Sequence, residues 1–526
     1  MMPQALADYN RAYELYKAKD YTAALRGLEV MEEYIAHWPK LNLLKAQVFF
    51  EQGRYVSVLD ALTKGLRELA EDERSEYAAE FYSRLGSAYY RLGRCREAVE
   101  AFLMASRAEK NLTARRQECS NAIFAASSVG TYQAADYRRL YREYNALLSD
   151  IEPYPTVFYR HDKLRVGYLS PDFKMHPLAH FLYPLLRFHD RKNFRLYAYT
   201  LNPPATWDTI THKLLAETEE QRDLSALSDE AAAAKIREDE PDILFDLTGH
   251  TLGNRLAILA YHPATLQITG LGDVNTTGTK VLDYYWSDNH ADSPLAQDYV
   301  TETLGRSLKS FVCYAPQGQM PEPSPAPFAA NGYITFGTFN NFSKVTDEML
   351  MAWNFLLTLV PRSKLLLKHR LFDSDEGREY TLARLSGLGY DLSRVEIRGF
   401  SRNYLPEYAL MDVALDTYPY TGGVTTCEAL YMGVPVVSLY GHRPGSNVGR
   451  SILDNVGLSK LAGASFTEYI KIAAELASST QFLTAMRQNL RPQMQNSRLM
   501  DGADYMAEVE DFYRQIWFMA KVKKGT

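Results

Sequence analysis

The stretch DVALDTYPYTGGVTTCEALYMGVPVVSLYGHRPGSNVG, Asp412 to Gly449, decides how this chain is read. Its apolar run Val413 to Leu415 has the composition of a buried strand, and it leads through Asp416 and Tyr418-Pro419 into Gly422-Gly423-Val424-Thr425-Thr426. A helical pattern, Cys427 to Met432, follows, then Gly433 and a valine-rich run, Val434 to Val437. A parallel strand, a glycine turn, a helix and a second strand present backbone N–H groups to an anion. Glycine lets the backbone come close, and the helix N-terminus carries positive partial charge. Thr425 and Thr426 open the helix and add hydroxyl donors. Glu428, one turn further in, is spaced to accept from sugar hydroxyls, as acidic residues do for ribose in nucleotide-binding folds. An ordinary βαβ unit with glycine-rich capping fits this stretch equally well, so the rest of the chain must decide.

Working outward toward the N-terminus, the chain alternates strands and helices. Strands are expected at Leu164–Leu169, Phe194–Tyr199, Asp242–Asp246 and Leu266–Thr269, with helical runs at 181–188 and 225–238 between them. The polar and glycine clusters all follow strands: Ser170-Pro171-Asp172-Phe173, Leu247-Thr248-Gly249-His250-Thr251 and Gly270 to Gly278. In doubly wound sheets ligands sit at the carboxyl ends of strands. Residues 314–332, YAPQGQMPEPSPAPFAANG, have the composition of a linker. Beyond it Tyr333–Gly337, Lys364–Lys368 and Val395–Ile397 lead to the opening stretch, and Ala503–Phe518 reads as a closing helix. The expected domains are helical repeats over 1–150, an N-terminal lobe over 160–312, a linker over 313–332, a C-terminal lobe over 333–495 and a final helix over 496–526.

The first 150 residues are repetitive. Lys19-Asp20-Tyr21-Thr22-Ala23-Ala24 is echoed by Gly53-Arg54-Tyr55-Val56-Ser57-Val58, by Gly93-Arg94-Cys95-Arg96-Glu97-Ala98 and, more loosely, by Gly130 to Ala135. A small residue recurs at Ala24, Val58, Ala98 and Ala135, at offsets of 34, 40 and 37. That is the period of tetratricopeptide helix pairs with insertions. Such an array offers a concave surface for protein partners, or a helical cap on its neighbour.

The bulk numbers describe an ordinary globular chain. It has 526 residues, 46% hydrophobic and 23% charged, enough for about three domains. With 58 basic and 64 acidic residues the formal charge is −6, so no basic field points to nucleic acid. Cys95, Cys119, Cys313 and Cys427 are too scattered for a metal site and fit a reducing compartment. No apolar run of 18 residues and no leader-like start is present, which gives a cytoplasmic expectation with no membrane partner.

In combination, SPDFKMHPLAH, DILFDLTGHT, GLGDVNTTG, TFGTFNNFSKVT, LDTYPYTGGVTTCEALYMGVPVVSL and SNVGRSIL resemble one family over nearly all of residues 10–490. It is that of the protein O-GlcNAc transferases and plant SPINDLY proteins, which join tetratricopeptide repeats to a two-lobed GT-B glycosyltransferase. The last three motifs look closer to the SPINDLY branch. That branch is associated with GDP-fucose and the animal branch with UDP-GlcNAc. The resemblance implies a fold of α plus α/β class, a nucleotide-sugar donor (UDP-GlcNAc first, GDP-fucose or UDP-glucose as alternatives) and protein acceptors recruited by the repeats. It implies no cofactor and no metal.

Carried over residue by residue, His176 matches the active-site histidine of the H-P-x-x-H motif, with His180 one turn on as a packed residue. Lys344, in Asn340-Asn341-Phe342-Ser343-Lys344, matches the lysine on the donor's pyrophosphate, with Asn341 beside it. Gly422, Gly423, Val424, Thr425 and Thr426 match the phosphate loop and Glu428 the ribose-binding acid. Tyr404 stands where many relatives carry a histidine beside the base, and Asp273-Val274-Asn275 where they often carry Tyr-Pro-Gly or Tyr-Pro-Asn. Asp246, Thr248 and His250 form a polar cluster, with His250 and Asp246 as candidate catalytic groups. The implied chemistry is one inverting displacement at the anomeric carbon, with His176 as base and Asp246 or a water chain as rivals. Two other classes stay open: a degenerate binding scaffold, and an enzyme of the same fold acting on asparagine or a small molecule.

Overall fold

The computed structural model describes residues 3–35, 37–292 and 294–525. The chain divides into two compact units, one of Met1–Val129, Asn341–Asn354 and Leu366–Arg402, the other of Gly130–Asn340, Phe355–Leu365 and Asn403–Thr526.

The first unit is built on helical hairpins. α1 (Pro3–Lys17) pairs with α2 (Tyr21–Tyr34), α3 (Pro39–Glu51) with α4 (Tyr55–Glu68), and α5 (Glu71–Arg91) with α6 (Cys95–Ala108). Each hairpin turns on one residue in the left-handed region: Lys19, Gly53 and Gly93 have φ of 62°, 71° and 77°. The residue three places into each second helix, Ala24, Val58 or Ala98, is at most 1% exposed. α7 (Leu112–Ala126) follows in this unit, and α8 (Ala134–Ala146) comes next in the chain, in the second unit. Here the expected small position is wrong. The fourth turn is longer, α8 starts at Ala134, and its inward position falls on the buried Tyr137 while Ala135 is exposed.

Within the first unit the third and second hairpins brace later parts of the chain. The Cys95 thiol donates to the Ser343 carbonyl at 3.2 Å. The Val56 and Ser57 amides donate to Glu376 Oε1 at 2.8 and 3.1 Å.

In the second unit, seven parallel strands run in the order β3-β2-β1-β4-β5-β6-β7. They are β1 (Leu164–Ser170), β2 (Phe194–Thr200), β3 (Glu220–Asp223), β4 (Ile243–Asp246), β5 (Leu266–Thr269), β6 (Tyr284–Asp288) and β7 (Thr303–Ser307). The chain winds outward from β1 one way and from β4 the other, so the crevice for a ligand opens beyond these two strand ends. A six-stranded sheet has the order β10-β9-β8-β11-β12-β13. Its members are β8 (Ile334–Thr338), β9 (Ser363–Lys368), β10 (Val395–Arg398), β11 (Val413–Leu415), β12 (Val436–Leu439) and β13 (Ala462–Gly463), and its switch lies between β8 and β11. This is a two-lobed GT-B-like arrangement.

The helix Gly502–Lys524 returns to the first lobe. Glu510 Oε1 bonds to the buried His189 Nδ1 at 2.9 Å and accepts from the Asp190 amide at 2.7 Å, while the Tyr168 and Tyr513 hydroxyls meet at 3.2 Å. The proline-rich segment begins pinned. The Tyr314 amide donates to Leu499 O and the Ala315 amide to His180 O, and Tyr314 is buried.

Candidate active site

Asp416 follows β11 directly and organises the glycine turn. Its Oδ1 accepts from the Gly422 amide at 2.7 Å, the Thr417 amide at 2.8 Å and Asn340 Nδ2 at 3.2 Å, and its Oδ2 accepts from Ser438 Oγ at 2.7 Å. Asn340, just past β8, in turn accepts from Thr425 Oγ1 at 2.6 Å. The switch between β8 and β11 is thus closed by one polar network, and it sets the start of the helix Val424–Tyr431. That helix has no side-chain cap on its first amides, and Gly423 is its N-cap. It starts at Val424, just ahead of the threonine pair expected to open it, which places Val424, Thr425 and Thr426 in its first turn. Gly422 is required for space: a Cβ there would meet Thr425 Oγ1 at 2.6 Å, Thr426 Oγ1 at 2.8 Å and Asn340 Oδ1 at 2.9 Å.

Glu428 points inward and is 3% exposed. The Tyr404 hydroxyl donates to its Oε1 at 2.5 Å and the Tyr408 hydroxyl approaches Oε2 at 3.5 Å. Burial pushes its carboxyl up to about 7 despite these two donors. Tyr404 itself is half-buried.

His176 follows β1 and keeps 41% of its side chain exposed. Its Nδ1 accepts from the Leu178 amide at 3.3 Å and lies 3.7 Å from Asp172 Oδ2. Desolvation lowers the imidazole's pKa, Asp172 raises it and Lys174 lowers it, for a net downward shift. Asp172 is 6% exposed and pairs with Lys174 Nζ at 3.2 Å. Sequence reasoning passed over Asp172, although an acid four residues before the histidine was the available signal.

The segment carrying His176 reaches the glycine turn through the next helix, Ala179–Arg187: Phe181 Cε2 lies 3.8 Å from a Cβ built on Gly423. His180 on that helix is packed, its ring stacked on Tyr314 at 5.4 Å and its Nδ1 accepting from the Gln317 amide at 3.3 Å. Tyr314 also contacts Tyr431 of the glycine-turn helix, with ring centroids 6.3 Å apart.

Asp246 ends β4 and His250 follows it, and both are interior. Asp246 accepts from the Thr248 and Gly249 amides at 3.2 and 2.9 Å and from Thr269 Oγ1 at 2.9 Å, and burial raises it to about 7. His250, 1% exposed, donates from Nε2 to Thr277 O at 2.8 Å, meets the Tyr144 ring edge-on at 4.9 Å and is lowered to about 4 by burial. Its amide donates to Asp273 Oδ2 at 3.1 Å, so this cluster fixes the loop Gly270–Gly278. Asn341 and Lys344 lie in the first unit, in a 3-10 turn over Phe342–Lys344 that Asn341 caps by accepting from the Ser343 amide at 3.2 Å. Lys344 is half-buried there. Among the described residues no group of three His, Cys, Asp or Glu could hold a metal ion, and no helix is long and apolar enough to cross a membrane. All four cysteines are buried thiols.

The profile of Glycosyl transferase family 41 matches residues 150–313 and 328–509. Over 386 residues the chain is 37% identical to the probable UDP-N-acetylglucosamine–peptide N-acetylglucosaminyltransferase SPINDLY of Petunia hybrida, covering 72% of this chain and 41% of that protein. With its namesake in Solanum lycopersicum the identity is 38% over 359 residues, covering 67% of this chain and 39% of that one. The chain thus spans about two fifths of the length of these curated relatives. A solved mutant of the Thermobaculum terrenum O-GlcNAc transferase matches over 100% of both chains, with a TM-score of 0.86 at 28% identity.

Proposed function

This chain belongs to glycosyl transferase family 41, and we propose that it transfers a sugar, GlcNAc from UDP-GlcNAc, to serine or threonine hydroxyls of proteins gathered by its repeats. The observation that carries the reading is the turn Gly422-Gly423 feeding an uncapped helix start, tied to the neighbouring strand end through Asp416, Asn340 and Thr425. Such a turn suits the leaving diphosphate, whose charge grows in the transition state and is met by fixed dipoles. Lys344, four residues after Asn340 in the sequence, is assigned the matching ammonium charge, so this reading of the displacement uses no metal. Asn341 caps the turn that carries that lysine.

His176 takes the proton of the attacking hydroxyl, and Asp172 beside it stabilises the imidazolium that forms. The acceptor oxygen bonds to the anomeric carbon as the bond to the diphosphate breaks, which inverts that centre in one step. Asp246 and His250 act here as positioning residues for the loop Gly270–Gly278, since their polar atoms are engaged inside the fold. Tyr404 and Glu428 are assigned to the nucleoside end, where a ribose hydroxyl would compete with the Tyr404 hydroxyl for the buried acid. The GT-B unit and repeats work, on this reading, in the cytoplasm.

The test is incubation with UDP-GlcNAc and with GDP-fucose in separate tubes, cell lysate as acceptor, read by mass spectrometry. HexNAc on serine or threonine with the first donor supports the reading, and deoxyhexose with the second moves the donor to GDP-fucose. Lys344→Ala is expected to lose nearly all transfer with an unchanged circular-dichroism spectrum. Full turnover in that variant would remove the lysine from the reaction.

A further inference from the structure

Helix α8 carries a buried tyrosine, Tyr137, that none of the roles above uses, and it meets the turn after β12. Arg443, in the turn after β12, is 9% exposed. Its Nη1 donates to the Tyr137 hydroxyl at 2.8 Å and to the Tyr132 carbonyl at 3.5 Å, and the guanidinium lies 5.5 Å from the Tyr137 ring centre. Tyr132 and Tyr137 meet edge to face at 6.2 Å, so the arginine enters an aromatic socket at the end of the repeats. A buried guanidinium with directional bonds is a rigid tie, because losing one partner leaves charge without compensation.

The same turn holds the glycine loop. The Ser446 hydroxyl donates to the Arg443 carbonyl at 2.6 Å, which folds the turn, and Gly445 has a φ of 77° that glycine adopts readily. The Gly445 carbonyl then accepts from the Thr421 amide at 3.3 Å and the Thr421 hydroxyl at 3.0 Å. The Thr421 hydroxyl also accepts from the Gly449 amide at 3.4 Å. Thr421 is bonded directly to Gly422, whose amide is the one fixed by Asp416. The path from the last repeat helix to the diphosphate turn is therefore Tyr137, Arg443, Gly445, Thr421, Gly422.

We propose that Arg443 is a positioning residue for the donor, seating the 441–447 turn in the Tyr132–Tyr137 socket and through Gly445 and Thr421 setting the glycine turn that receives the diphosphate. The last repeat helix thereby becomes part of the donor site's scaffold. This inference rests on the donor reading of Gly422 to Thr426 given above.

The experiment titrates UDP and GDP separately by calorimetry into the full-length protein and into Arg443→Gln, Tyr137→Phe, Leu140→Val and Thr425→Val, with melting temperature measured for each. Tyr137→Phe keeps the ring and removes one hydroxyl, so it folds even where the glutamine variant does not. The inference expects Tyr137→Phe to weaken the nucleotide that the unaltered protein binds about fivefold and to raise donor KM with kcat nearly unchanged. Arg443→Gln is expected to weaken that nucleotide more. Leu140→Val, a buried change on the same helix with no bond toward the turn, is expected to lower the melting temperature and leave nucleotide affinity alone. Equal affinity in Tyr137→Phe and the unaltered protein overturns the inference, as does a loss in Leu140→Val matching that in Tyr137→Phe. If Thr425→Val also binds as tightly as the unaltered protein, or neither nucleotide binds at all, the donor reading fails with it; if only Thr425→Val is weakened, that reading stands and the relay is discarded.

Discussion

The Tyr404 hydroxyl donates to Glu428 Oε1 at 2.5 Å, within a wall where Glu428 is 3% exposed. Tyr404 is therefore bonded to the acid and holds one of its oxygens. The pairing suits a protonated or proton-sharing carboxyl, and it makes this buried pair sensitive to pH.

Burial raises Glu428 from 4.5 to about 7. Below pH 4.5 the carboxyl is protonated folded or unfolded, and its contribution to stability is complete. As pH rises the unfolded carboxyl ionises first, so stability falls until the folded one ionises near 7, by up to about 3 kcal/mol at 1.36 kcal/mol per pH unit. Glu428→Gln removes this loss while keeping an oxygen to accept from Tyr404. Urea unfolding at pH 5 and pH 8 is expected to show the variant gaining on the unaltered protein at the higher pH by roughly 1–3 kcal/mol. An equal difference at both pH values would contradict the raised carboxyl.

Gly422→Ala puts a methyl group within 2.9 Å of three oxygens, those of Thr425, Thr426 and Asn340. The Thr425–Asn340 bond and the Asp416–Gly422 bond cannot both survive that intrusion. Overpacking of this kind costs about 1–3 kcal/mol, and here it falls on the helix start itself. UDP affinity is expected to drop at least about tenfold, which corresponds to 1.4 kcal/mol, with a smaller change in melting temperature. Calorimetric titration decides it, and a variant that binds as well as the unaltered protein removes this turn from the donor site.

The turn was legible because glycine, threonine and strand composition all point the same way over a dozen residues. The strands β4 and β11 were equally plain, being short apolar runs buried on both faces. β3 was not, since Glu220-Gln221-Arg222-Asp223 has no apolar residue and is a strand through pairing with β2 alone. Whether His250 and Asp246 face a crevice or brace a loop stayed open in the sequence for a related reason. A polar residue after a strand looks the same in sequence whether it faces a crevice or, as here, caps the loop beneath it. Ala135 shows the limit of period counting, because a lengthened fourth turn moved the packed position to Tyr137.

Asp172 raises the pKa of His176 against the stronger downward pull of burial. Asp172→Asn removes that charge and keeps the shape, so the histidine loses its proton at lower pH. If His176 works as a neutral base, the acid limb of kcat/KM against pH moves to lower pH in the variant, and the plateau falls because the imidazolium is less well stabilised. His176→Ala is expected to lower kcat about 10²–10⁴-fold. An acid limb that stays in place in Asp172→Asn would separate this aspartate from the base.

Glu376 caps a helix some 320 residues earlier in the chain. The N-terminus of α4 has no side-chain cap of its own, since its N-cap is Arg54. The Glu376 carboxylate accepts from the Val56 and Ser57 amides instead, with the Ser57 hydroxyl as a third donor and Arg54 Nε at 3.6 Å. A carboxylate at a helix start satisfies orphan amides and opposes the helix dipole favourably. Removing a cap costs about 0.5–2 kcal/mol, and Glu376→Ala also deprives the Ser57 hydroxyl of its acceptor. The variant is expected to unfold about 1–2 kcal/mol more easily, with faster amide exchange concentrated at Val56 and Ser57. Glu376→Gln, which accepts but carries no charge, is expected to recover roughly half of the loss. Hydrogen exchange read by mass spectrometry on the peptide spanning residues 53–62 checks both, and protection there that is unchanged in Glu376→Ala would mean this contact does not hold the second hairpin.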